Sequence, residues 1–250
     1  MQIFIADLHL GDGSKADDFH RDKELLNFFD FIDDNKHELI VLGDIFELWQ
    51  CDLDKIMWNH PEVCKRLNDS FNYKLIYGNH DYIPFSKYWS EIYQTDKIFA
   101  FHGHQCDLVN RYKNPLFALK WPIGMYFTVL AGEIERWFYK DIDVWYQKME
   151  NKFGNFLMEA AKLQNMKSEL DNQLLLSFSG KNFHLLFSTE NTINIMGHTH
   201  QAKLSKFDGR ILANCGAWVD DTEPTYIAVD DNIVDLRNGL NHKLIKSVEL

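Results

Sequence analysis

The chain has 250 residues, of which 46% are hydrophobic and 25% charged. This composition excludes a disordered or low-complexity protein and is long enough to bury a large core without disulfides. The formal net charge of −11 argues against non-specific nucleic-acid binding, which needs a basic surface.

Taken in chain order, Ile3-Phe4-Ile5-Ala6 reads as a short buried strand that stops at Asp7. Leu25, Phe28, Phe29 and Ile32 follow the i, i+3, i+4, i+7 spacing of an amphipathic helix. Leu39–Leu42 reads as a second strand ending at Gly43-Asp44, and helix-like Glu62–Asp69 leads to a third, Lys74–Tyr77, ending at Gly78-Asn79-His80-Asp81. A fourth strand, Lys97–Phe101, ends at His102-Gly103-His104. Further on, Thr192–Met196 ends at Gly197-His198-Thr199-His200, followed by strands at Arg210–Ala213 and Tyr226–Val229 and a hairpin turn at Asp231-Asn232. Short apolar strands alternating with helices predict α/β layers, and the close spacing of the later strands predicts a partly antiparallel sheet.

The stretch between these two groups of strands differs in kind. Residues 107–180 hold nine basic and nine acidic residues, so the rest of the chain carries the whole −11, and they hold 13 aromatics in 74 positions. Apolar positions at helical spacing, such as Ile134, Trp137 and Phe138, predict a helical cap over 107–180, inserted into a core made of 1–106 and 181–250. The longest apolar run, Leu116–Ala131, contains Lys120, Pro122 and Gly124 and is too short and broken to span a bilayer. The N-terminus lacks a basic region and a cleavage site, so no signal peptide is expected. Four cysteines without a CxxC pair fit a reducing, cytoplasmic setting.

Five polar clusters each follow an apolar strand, and the carboxyl ends of strands are where α/β sheets bind ligands. Glycine before the polar residue allows a sharp turn and close approach. Carboxylates, imidazoles and an amide suit Mn, Fe, Zn or Co better than Ca, and Mn is the leading expectation. Two ions are provided for: Asp7, His9 and His200 for one, Asn79, His198 and a histidine of 102–104 for the other, with Asp44 between them. Such a pair promotes hydrolysis at phosphorus. It leaves the site near +2, suited to an anionic substrate despite the acidic surface.

The order DxH, GD, GNHD, H, GHxH resembles the calcineurin-like metallophosphoesterase superfamily. The resemblance covers the core on both sides of the cap. It implies a two-sheet β-sandwich flanked by helices around a dinuclear centre that hydrolyses phosphate esters. Carried over by motif, Asp7, His9, Asp44 and His200 would hold the first metal, and Asp44, Asn79, His198 and His102 the second. His104 would then be a substrate-facing neighbour. His80 falls at the family's catalytic histidine, with Asp81 as the carboxylate that would orient it.

ADLHLGDG, LGDIFELW, FHGHQCDLVNRY, GHTHQAK and NCGAWVDD also resemble the bacterial UDP-2,3-diacylglucosamine hydrolases, which cleave a pyrophosphate bond and carry a hydrophobic lid in the same place. The departures are Gly78-Asn79-His80-Asp81, where that branch has GNRD, and Gln201-Ala202, where it has arginine and proline. The implied partner is a small or lipid-linked phosphate substrate. Arg111 and Lys113 could neutralise its phosphate, and the aromatic cap could hold acyl chains, form a dimer interface or make peripheral contact with a membrane. Cys215 has no base partner in the sequence and is not read as a nucleophile.

Overall fold

The structure is a computed structural model in which residues 1–14, 17–104, 192–207 and 209–250 are described. The chain divides into two compact units, Met1–Gly103 with Thr189–Leu250, and His104–Ser188. The cap expected over 107–180, with Arg111 and Lys113, lies outside the described residues. All the described strands and helices belong to the first unit.

β1 (Gln2–Ile5), β2 (Glu38–Leu42) and β3 (Tyr73–Ile76) form a parallel set. Between β1 and β2 runs α1 (Asp22–Asp34), whose Leu25, Phe28, Phe29 and Ile32 form the expected buried stripe, with Asp22 and Glu24 in the first turn, where the helix dipole favours acids. α2 (Leu53–Asn59) and α3 (Pro61–Asp69) connect β2 to β3, and Pro61 suits the start of a helix because its missing N–H is not needed there. The short α4 (Tyr82–Phe85) leads to β4 (Ile92–Gln94) and β5 (Ile98–Phe101). β6 (Ile193–Met196), β7 (Lys203–Phe207), β8 (Arg210–Asn214), β9 (Thr225–Asp230), β10 (Ile233–Asn238) and β11 (Leu244–Glu249) complete the described elements.

These strands make two mixed sheets, in the orders β11-β10-β9-β1-β2-β3 and β4-β5-β6-β8-β7. The α/β class and two-sheet core expected of the calcineurin-like fold are therefore present. Side chains alternate across β1 and β2. Ile3, Ile5, Leu39 and Val41 pack in the cluster that includes Leu25, Phe28 and Phe29 of α1. Phe4, Ala6, Ile40 and Leu42 pack with Ile98, Ala100, Ile193, Ile195, Ile211 and Ala213 of the other sheet. Both faces are buried, which is why the strands read as continuous apolar runs rather than alternating ones. Each fully buried Ile or Phe contributes about 1.5–3 kcal/mol relative to exposure.

The expected strand endings are divided between the two sheets. β1, β2 and β3 run parallel in the first sheet, and β5, β6 and β8 in the second. The loops after these strands meet at one end of the sandwich: Asp7 N donates to Gly43 O at 3.1 Å, His9 N to Asp44 O at 2.9 Å, and Gly197 N to His102 O at 2.8 Å. Among the described residues no helix is long and apolar enough to cross a membrane.

Candidate metal centre

The clustered loops hold five non-glycine residues in the left-handed backbone region: Asp7, His9, Asp44, His198 and His200, with φ between 48° and 68°. All five are expected metal ligands. That conformation costs an L-residue of order 1–3 kcal/mol and persists only where surrounding contacts impose it, as at functional sites. The sequence reading gave the sharp turns to the glycines before the ligands; several ligands make the turns themselves. Glycine is needed instead for close approach. A Cβ on Gly78 would strike the Asp44 carboxylate and lie 2.5 Å from the Asp44 nitrogen, and one on Gly43 would lie 2.9 Å from the His102 ring.

The two carboxylates are held alike. Asp7 Oδ2 accepts the His198 N–H at 2.7 Å, and Asp44 Oδ1 accepts the His80 N–H at 2.8 Å. The remaining oxygens face imidazoles. Asp7 Oδ1 lies 3.6 Å from His200 Nε2 and 3.9 Å from the Nε2 atoms of His9 and His102. Asp44 Oδ2 lies 3.1 Å from His102 Nε2, 3.8 Å from His9 Nε2 and 3.9 Å from His80 Nε2. Three overlapping groups of donors result: Asp7, His9 and His200; Asp44, His102 and His198; and His9, Asp44 and His80. Asn79 joins the second through Oδ1, 3.1 Å from His102 Nε2.

The histidine rings are oriented from behind. His102 Nδ1 donates to the Leu42 carbonyl oxygen at 2.7 Å, which turns Nε2 toward Asp44 and Asn79. His104, also buried, belongs to the second unit. His9 Nδ1 and His80 Nδ1 each lie 2.8 Å from the carboxylate of Glu47, a residue the sequence reading did not select. Its signal was a single acid in the apolar run Ile45-Phe46-Glu47-Leu48, buried with Ile45 and Phe46. Asp81, expected to orient His80, does something else. Its Oδ2 accepts Ile45 N–H at 2.7 Å and its Oδ1 accepts Gly78 N–H at 2.5 Å, tying two loops together. The carboxylate at His80 Nδ1 is Glu47.

Electrostatics follow from this packing. Burial disfavours a charge on His9 and His102, yet Glu47, Asp44 and Asp7 outweigh it at His9, and Asp44 and Asp7 at His102, raising them to about 10 and about 9. Burial likewise opposes the charge of Glu47 and Asp44, but His80 and His9 bring Glu47 down to about 2, and His102, His80 and His9 hold Asp44 well below the usual carboxylate range. Burial, then the charge of Asp44, pushes Asp81 up to about 7. Cys215 is buried and its thiol pushed well above its ordinary range, in keeping with a packing role.

This donor set fits a transition-metal site. Asp7 Oδ1 and His9 Nε2 are buried with no hydrogen-bond partner among the described residues, and both belong to the first group. Orphaned buried polar atoms are costly unless a ligand satisfies them. Carboxylate, imidazole and amide donors suit Mn, Fe, Zn or Co.

No family model matches the chain. No curated protein matches it either. Among solved structures it is similar to an uncharacterized Streptococcus pneumoniae protein described as a predicted phosphoesterase (13% identity, TM-score 0.42, covering 100% of this chain and 97% of that one). It is also similar to YfcE, a phosphoesterase from E. coli (12%, 0.47, 99% and 98%). A third is Vps29 from Entamoeba histolytica in complex with zinc (14%, 0.42, 99% and 98%).

Proposed function

We propose that this chain is a dinuclear-metal-dependent hydrolase of phosphoester or pyrophosphate bonds. The observation that carries the reading is the matched pair of carboxylates. Asp7 and Asp44 each give one oxygen to a backbone N–H and turn the other toward imidazole nitrogens. Asp7, His9, Asp44 and His200 would hold one ion, and Asp44, Asn79, His102 and His198 the second. When bound, two such ions supply Lewis-acid polarisation of a phosphoryl oxygen and lower the pKa of water. His80, held at Nδ1 by Glu47 with Nε2 facing Asp44, would give a proton to the leaving oxygen. His80 also completes a donor group with His9 and Asp44, so its variant must separate ligation from proton transfer.

The motif resemblance supports a narrower reading, a lipid-linked nucleotide such as UDP-2,3-diacylglucosamine. The cap that would take acyl chains lies outside the described residues. The test is a substrate panel offered to protein reconstituted with Mn²⁺: nitrophenyl phosphate, bis-nitrophenyl phosphate and UDP-2,3-diacylglucosamine. Fast UMP release with slow diester cleavage supports the lipid nucleotide. Turnover of the nitrophenyl esters alone supports a general phosphoesterase. Metal-loaded protein inert to all three would overturn the hydrolase reading in favour of a scaffold on this fold.

A further inference from the structure

The Trp49 indole lies face to face with the His80 imidazole, with ring centroids 3.5 Å apart and planes 23° apart. Its Nε1–H donates to the Asn79 carbonyl oxygen at 3.0 Å. One side chain, from the segment that follows β2, therefore touches two successive residues of the β3 loop. One of them offers an amide oxygen to the donor cluster, and the other turns Nε2 toward Asp44.

The Glu47 contact alone leaves His80 a degree of freedom. A hydrogen bond at Nδ1 fixes one corner of the ring but permits a swing about that corner, which would carry Nε2 away from Asp44. The His9 ring, edge-on with centroids 4.6 Å away, bounds the motion on one side. The indole covers a face of His80 and removes the remaining swing. Asn79 has the same need: its side chain can hold a position only if its peptide does, and the Trp49 Nε1–H is bonded to that peptide. Positioning of this kind governs rate and metal retention because reacting and ligating atoms tolerate errors of only about 1 Å.

We infer that Trp49 is a positioning residue that sets the plane of His80 with its indole face and the Asn79 peptide with its Nε1–H. Its effect on turnover rests on the hydrolase reading above, while its effects on the His80 ring and on metal retention do not.

The test compares the full chain with Trp49→Phe, which keeps an aromatic face and deletes the N–H, and Trp49→Leu, which deletes both. Three quantities are read: the His80 ring-proton shifts by NMR of the zinc-loaded protein, the Zn²⁺ affinity by competition with a chelating dye, and kcat and KM on bis-nitrophenyl phosphate. The expected result is upfield His80 ring protons in the wild type and in Trp49→Phe, moving downfield in Trp49→Leu. Both variants should hold the weaker zinc ion about 10-fold less tightly. In Trp49→Leu kcat should fall about 10-fold or more with KM nearly unchanged, and Trp49→Phe should recover part of that loss. Unchanged His80 shifts in Trp49→Leu, or unchanged zinc affinity in both variants, would overturn the inference. If the wild type hydrolyses nothing, the hydrolase reading fails and the ring shifts and zinc affinity decide Trp49 by themselves. If Trp49→Leu does not fold, the zinc affinity of Trp49→Phe decides it.

Discussion

Glu47 and His80 are joined by a hydrogen bond of 2.8 Å at His80 Nδ1, and the same carboxylate lies 2.8 Å from His9 Nδ1. One buried acid thus orients an expected ligand and the expected proton donor together. Glu47→Gln keeps the size and removes the charge that both rings face. Metal affinity or turnover should fall about 10–100-fold while the fold is kept. Calorimetric Mn²⁺ titration alongside initial rates checks this, and wild-type values for both would contradict the orienting role.

Asp44 and His80 should separate by metal content. Asp44 Oδ2 faces His9, His80 and His102, so Asp44→Asn is expected to lose at least one ion, as counted by plasma emission on purified protein. His80→Ala is expected to keep its metal and lose about 10²-fold or more in kcat. Full metal loading in Asp44→Asn would contradict the bridging assignment, and metal loss in His80→Ala would make His80 a ligand.

Gly78 tests the close packing of the loops. An added Cβ would collide with the Asp44 carboxylate and lie 2.5 Å from the Asp44 main-chain nitrogen, which cannot swing aside as a side chain could. Gly78→Ala should destabilise the protein by about 1–3 kcal/mol and weaken metal retention. Urea unfolding measures the first and metal content the second. Wild-type values of both would show that the β3 loop yields freely.

Outside the donor cluster, His20 pairs with Asp220 at 2.6 Å, and Arg21 adds a 3.4 Å contact to the same carboxylate. The Asp220 hydrogen bond, against slight burial and with Asp17 and Asp18 nearby, raises His20 above 6.5. Burial opposes the Asp220 charge, but His20 and Arg21 lower its pKa below 3.8. A raised histidine contributes fully below its unfolded pKa and is lost as pH rises through its folded value. A lowered carboxylate contributes fully above its unfolded pKa and is lost as pH falls. The pair is therefore intact between about pH 3.8 and 6.5. An NMR titration of the His20 ring should give a midpoint above 6.5 that drops in Asp220→Asn; a wild-type midpoint at or below 6.5 would contradict the pairing.

The expected ligands were legible as candidates because each lies in a polar cluster that follows an apolar strand, and Ile3–Ala6 or Leu39–Leu42 stand out as strands because both their faces are buried. The supporting contacts were not, since they depend on which way folded loops face. Asp81 is adjacent to His80, yet the turn aims its carboxylate at Ile45 and Gly78, and the partner of His80 comes from 33 positions earlier. Trp49 likewise stood in the sequence only as the last residue of LGDIFELW, with nothing there to show which ring it meets. β11 escaped notice because it is a largely exposed edge strand, and α2 because only Ile56 of its seven residues is buried. β3 begins one residue before the expected strand, at Tyr73, which is buried against Phe29.

The central claim, hydrolysis that depends on a metal pair, is tested most directly by stoichiometric reconstitution. Protein stripped with a chelator would be titrated with Mn²⁺ while bis-nitrophenyl phosphate hydrolysis is followed. The expected result is no turnover in the stripped protein and a rise that levels off at about two ions per chain. Hydrolysis in the stripped protein, or none with both ions bound on any substrate of the panel, would contradict it.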